Sequence, residues 1–298
     1  MKRNVSCDQT LNMKRIPYFP FVLVLLLYSA AIGSSAFAQQ AREKSKEYID
    51  STLLSENLVS LKGKPHTLYS VGYDIRANTL QKLFHDCINY YEGIFPEKKF
   101  AAHIFILNKK DWERPNFEEP YGMPFYDPDY DILVIAAEKD ALAKLSGLKD
   151  IKKTSDSVLT GLDYQPLHEL GHYFFFTLNK INKEKWFNEV LATYFLICYL
   201  KERNLEPNLE DELKADYPVE HRTLEDFQKF YLQVGPQNYH WYQSKFAKLG
   251  FMLYPQLKTN LIIEVLDNYR PGGKGLDGIS LLRDLAPETL NQWLKEMQ

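Results

Sequence analysis

"QPLHELGHYFFF", residues 165–176, sets His168 and His172 four apart in an otherwise apolar run, with Glu169 between them. Burying imidazoles and a carboxylate without partners is costly, so something must satisfy them. On a helix, residues i and i+4 share a face, and both rings then point at one atom. Two neutral imidazoles so placed ligate zinc. Glu169 lies one step round the helix and reaches a metal-bound water rather than the metal, which is the physical content of the H-E-x-x-H pattern. Pro166 suits the first turn of such a helix, where its missing N–H does no harm. The competing reading is a pair of core histidines satisfied by backbone groups.

A catalytic zinc site needs a third protein ligand and an open position. "EKWFNEVLATYFLICYLKE", residues 184–202, follows after a short turn. Val190, Leu191, Tyr194, Phe195 and Cys198 make it a helix meant for burial. Glu189 sits at its start. An isolated buried carboxylate is expensive, whereas a zinc ligand is not. Taken alone, Glu189 also reads as an acid favoured by the dipole at a helix N-terminus. Beside the two histidines, ligand is the better reading.

The rest of the chain frames this motif. Of 298 residues 45% are hydrophobic, enough for one large domain or two small ones. Residues 1–38 read as a secretory signal peptide: Lys2, Arg3, Lys14 and Arg15 precede an apolar run, and Ala36-Phe37-Ala38 supplies a small-x-small cleavage site. An uncleaved anchor is the alternative, because the run approaches spanning length. Cleavage predicts a secreted or periplasmic protein with no stable membrane association. Residues 39–298 then carry 32 basic and 38 acidic side chains, a formal −6. That balance gives no reason to propose nucleic acid or anionic lipid as a partner. Cys87 and Cys198 fall on apolar helix faces and read as buried free thiols.

Hydrophobic spacing predicts an α+β fold: a small mixed sheet in residues 39–140, then a mainly helical part in residues 141–298, with the motif helix between them. Residues 39–298 are expected to form one domain. "HTLYSVGYD", "FAAHIFIL" (100–107) and "DILVIAA" (131–137) read as strands. Leu80, Leu83, Phe84, Cys87, Ile88 and Tyr91 line one helix face. Residues 111–130, rich in Pro, Gly and aromatics, read as a loop. The Asp127, Asp129, Asp131 triplet lacks the Gly and closing Glu of a calcium loop, so a polar turn is expected there.

"HELGH" plus "WFNEVLATYF" resembles the gluzincin metallopeptidases, a zincin-like family with an H-E-x-x-H helix and a second helix bearing the third ligand. The resemblance covers some 35 residues. It implies one Zn2+ per chain held by His168, His172 and Glu189, with Glu169 as general base for hydrolysis of a peptide or protein substrate. It implies that Thr193, four after the third ligand, supports a histidine. Val190 stands where relatives often have Gly. It also implies a Tyr or His from a later helix as oxyanion donor; among Tyr239, His240 and Tyr242, Tyr242 is the first choice. "DILVIAA" resembles the edge strand that lines the cleft in that family. "YGMPFYDPDYDILVI" retains Gly122 and Met123 but lacks the Glu-Asn pair by which aminopeptidase N-like members hold a substrate amine. Internal cleavage is therefore expected, unless Glu118, Glu119 or Asp127 supplies that anion. The alternative to an active peptidase is a catalytically silent, metallopeptidase-like binding module.

Overall fold

Ile132–Ala136 (β5) is buried at every position, and that single strand explains how the sheet is covered. Leu133 and Ile135 face one side with Ile104 and Ile106 of β3 (His103–Leu107), in the core shared with the helices. Ile132, Val134 and Ala136 face the other side with Phe105 and Leu107, against Trp112 and Phe125. A strand covered on both faces reads as an unbroken apolar run, as "ILVIA" does. The protein is described from a computed structural model, over residues 58–96, 99–115, 117–145, 155–177, 184–205, 219–268 and 277–297. The expected signal peptide lies outside these residues.

The architecture is α+β, a small mixed sheet with helices packed on it. Its five strands run in the order β1-β2-β3-β5-β4, where β1 is Leu58–Leu61, β2 is Thr67–Ser70 and β4 is Phe125–Asp127. β2, β3 and β5 are parallel, while β1 and β4 run antiparallel to their neighbours. This corrects two expectations. "DILVIAA" is not the edge strand, since β3 and β4 flank it on either side. The edge strand on that side is β4, inside the stretch read as a loop. Three residues between Pro124 and Pro128 are too few for a period-2 pattern to register. Gly122 helps bring the chain to this edge: its φ is +104°, and a Cβ there would lie 2.7 Å from the Ala141 carbonyl oxygen. The aspartate triplet is the polar turn expected, with the Asp129 N–H donating to Asp127 Oδ1 at 2.9 Å in the β4–β5 hairpin.

α1 (Asp74–Ile94) buries the predicted face, Leu80, Leu83, Phe84, Cys87, Ile88 and Tyr91. A short helix, α2 (Lys109–Glu113), caps the far side of the sheet with Trp112, and α3 (Ala141–Leu145) follows β5. The motif helix is α4 (Pro166–Thr177), packed between β4 and α5 (Lys185–Glu202). α5 is buried almost all round, which suits a central helix. Beyond it come α6 (Leu224–Phe230), a 3-10 turn (Tyr231–Val234) and α7 (Pro236–Leu257), which covers the other side of α5. α8 (Asn260–Asn268), α9 (Gly278–Leu285) and α10 (Pro287–Glu296) complete the helical side. Cys87 and Cys198 are buried and unbridged. Among the described residues, no helix is long and apolar enough to cross a membrane.

Candidate metal centre

α4 turns Leu167, Leu170, Phe174 and Phe175 into the core and keeps His168, Glu169 and His172 on its partly buried side. The i, i+4 spacing does what helical geometry requires, and the two Nε2 atoms lie 3.0 Å apart. α4 and α5 approach closely at Gly171, where a Cβ would stand 3.0 Å from Ala192 Cα and 3.2 Å from Phe195 Cβ. That contact sets Glu189 against the histidine pair. Its Oε2 is 3.3 Å from His168 Nε2 and its Oε1 3.8 Å from His172 Nε2. Thr193, one turn along α5, is hydrogen-bonded through Oγ1 to His168 Nδ1 at 3.1 Å.

Ligands 2.0–2.1 Å from a tetrahedral ion lie roughly 3.3 Å from one another. Separations of 3.0, 3.3 and 3.8 Å among the two imidazoles and the carboxylate fit that requirement. Donor type fits as well, being nitrogen and oxygen with one formal negative charge. Glu169 also has a carboxylate oxygen within 4.8 Å of both ring donors. Both Glu189 oxygens face ring nitrogens, Oε2 towards His168 and Oε1 towards His172. Glu169 instead takes a hydrogen bond from the Tyr126 main chain on β4.

The electrostatics separate the two carboxyls. Burial lifts Glu169 to about 7, against the pull of the His168 charge. Burial also works against an ionised Glu189. There the hydrogen bond with His168, the two nearby imidazoles and the Tyr231 hydroxyl prevail and hold it well below the usual carboxylate range. Burial lowers His172 to about 4, keeping its ring neutral. His168 is raised, since its Glu189 hydrogen bond and the nearby Glu169 and Glu189 charges outweigh burial.

Tyr242 is not at this centre. It is fully buried, its hydroxyl donates to the Thr223 carbonyl at 2.7 Å, and its ring packs on Phe227. A helix that begins at Pro236 turns this position into the core. The same helix presents Tyr239 and Gln243, four apart, to Glu189: Tyr239 Oη donates to Oε2 at 3.3 Å and Gln243 Nε2 at 2.7 Å. Tyr231 Oη donates to Oε1 at 2.6 Å. Tyr231 and Gln243 are partners that the sequence reading missed. Gln243 was discoverable as the i+4 mate of Tyr239; Tyr231 carries no local signal, being joined to Glu189 only by tertiary folding. Of the three acids considered as amine anchors, Glu119 has its charge act on Glu169, and burial raises it to about 7. No known family model matches the chain, and no curated protein matches it.

Proposed function

We propose that this chain is a secreted zinc-dependent peptidase. The observation that carries the reading is the convergence of His168, His172 and Glu189 beside a separate buried carboxyl, Glu169, next to the edge strand β4. His168, His172 and Glu189 would hold the ion. Zinc bound there supplies Lewis acidity, acidifying water towards a pKa of about 7 and polarising a carbonyl.

The chain's own residues supply the rest. Glu169, held by the Tyr126 main chain and with its pKa lifted by burial, suits the task of accepting a proton from water and passing it to a leaving amine. Thr193 orients His168, and Tyr231 with Gln243 orients Glu189. Tyr239 replaces Tyr242 as the oxyanion donor of choice, because its bond to Glu189 is long and its hydroxyl is the one most easily spared. An extended peptide would add to the outer edge of β4, the strand that α4 packs against, through main-chain hydrogen bonds. Such docking lets substrate run past the centre in both directions and supports internal cleavage.

The test is a peptide-library digest by the mature chain, with and without chelator, beside Glu169→Gln. The variant is expected to retain metal and fold while losing hydrolysis on the order of a hundredfold or more. Undiminished, chelator-insensitive turnover would reject the reading. Matched peptides with free and acetylated N-termini complete the experiment. Cleavage confined to the first residue of the free-amine set would show trimming from the N-terminus instead, with Glu118, Glu119 and Asp127 as the candidate amine anchors.

A further inference from the structure

His66 and His103, neither of them a residue of the centre above, stand side by side at the start of β2 and β3. The main chain fixes the pair: the Ile104 N–H donates to the His66 carbonyl at 2.9 Å, and the next residues are in parallel register, Thr67 opposite Ile104. Both side chains are exposed. Their rings meet edge to face with centroids 4.6 Å apart, and their Nδ1 atoms converge to 2.5 Å. At most one proton fits between two ring nitrogens that close, and two lone pairs aimed at one another repel. Asp131, just before β5, meets His103 through the main chain, its carbonyl accepting from the His103 N–H at 2.9 Å. Its carboxylate also accepts from the Tyr126 hydroxyl at 2.8 Å.

We propose that His66 and His103 form a second, solvent-facing site for a divalent transition ion of the imidazole-preferring class, Zn2+ or Ni2+. Two nitrogens on adjacent, hydrogen-bonded strands are preorganised, so little ordering is needed to bring them onto one ion. A cation converts their opposed lone pairs into a shared ligand set after a slight opening of the pair, since two nitrogens on one ion sit roughly 3 Å apart. Imidazole suits zinc and nickel better than calcium or magnesium. Burial and the His66 charge lower the proton affinity of His103 against the pull of Asp131, which favours the neutral ring that ligates. Open surroundings leave the remaining positions to water, so the site would bind reversibly.

The proposal does not depend on the peptidase reading. Equilibrium dialysis of the full mature chain against Zn2+, and separately Ni2+, followed by elemental analysis, counts the sites. His66→Ala and His103→Ala should each lose one equivalent, or at least about tenfold in its affinity. Both residues are exposed, and unchanged thermal melting of the metal-free variants checks that folding is intact. Addition of Zn2+ should shift the His66 and His103 imidazole resonances in the unmodified chain. One equivalent that disappears with His66→Ala supports this site and counts against the centre at His168. Identical stoichiometry and affinity in the unmodified chain and both alanine variants, with unmoved resonances, would overturn it.

Discussion

Thr193 touches the candidate centre through its hydroxyl, which makes it a sharp probe. Its Oγ1 is 3.1 Å from His168 Nδ1, leaving Nε2 directed at Glu189 and His172. A partner on the outer ring nitrogen fixes both the tautomer and the orientation of a ligating histidine, and losing one typically costs 10–100-fold in metal affinity. Thr193→Val keeps the shape and removes the oxygen. Zinc titration should show a loss in that range, Thr193→Ser should restore most of it, and thermal melting of the metal-free protein should move little. Equal affinity in all three proteins would mean that Thr193 merely fills space. Glu189 shows the opposite design, with Tyr231, Tyr239 and Gln243 all on one carboxylate. Multiple donors spread the cost of keeping a buried charge, so removing any one of them should matter less than removing Thr193.

At the scale of elements, the centre depends on how closely α4 and α5 approach. Gly171 makes that approach possible, because any side chain there would press on Ala192 and Phe195. Gly171→Ala must push the helices apart or shift α5. Overpacking of this kind costs about 1–3 kcal/mol, partly offset by alanine's better helix propensity. Urea denaturation should show a net loss, and zinc affinity should fall with it, as the Glu189 oxygens move away from the ring nitrogens. A variant of wild-type stability with unaltered metal binding would show that the helices have slack at this point. The β4 edge makes a comparable contribution on the other side of α4, where the Tyr126 main chain holds Glu169.

Across the whole molecule, one buried ion pair ties the sheet side to the approach of the motif helix. Arg76 on α1 donates to Asp163 in the 3-10 turn Gly161–Tyr164, with side chains 4% and 1% exposed. Asp163 also closes a capping box with Thr160, accepting from its N–H at 2.6 Å. Three residues later Pro166 begins α4. Removing one partner of a buried pair leaves an uncompensated charge and costs about 3–5 kcal/mol. Lys139 Nζ, 3.9 Å from Asp163, tempers this towards the lower end. Arg76→Met should therefore lower unfolding free energy by about 3 kcal/mol in a denaturant titration. A loss below about 0.5 kcal/mol would show that Lys139 and Thr160 together satisfy the carboxylate.

Helical spacing in "HELGH" was sufficient to put His168 and His172 on one face, because 3.6 residues per turn is a local property of the backbone. The unbroken apolar runs of β3 and β5 and the period of α1 were legible for the same reason. The helix of Glu189 announced its burial through composition alone. Strand order did not follow from pattern, since β4 is too short to show alternation and both β4 and β5 satisfy the same hydrogen-bonding rules wherever they pair. Tyr242 and Tyr239 are three apart on one helix with equal local credentials. Only the packing of α7 on α5 turned Tyr239 to Glu189 and Tyr242 to Phe227. Tyr231 reaches the same carboxylate from a separate turn, 42 residues along the chain. Local periodicity determines which face of an element is apolar; which neighbour that face meets is set by the joint packing of every element, and the partners of Glu189 were decided there.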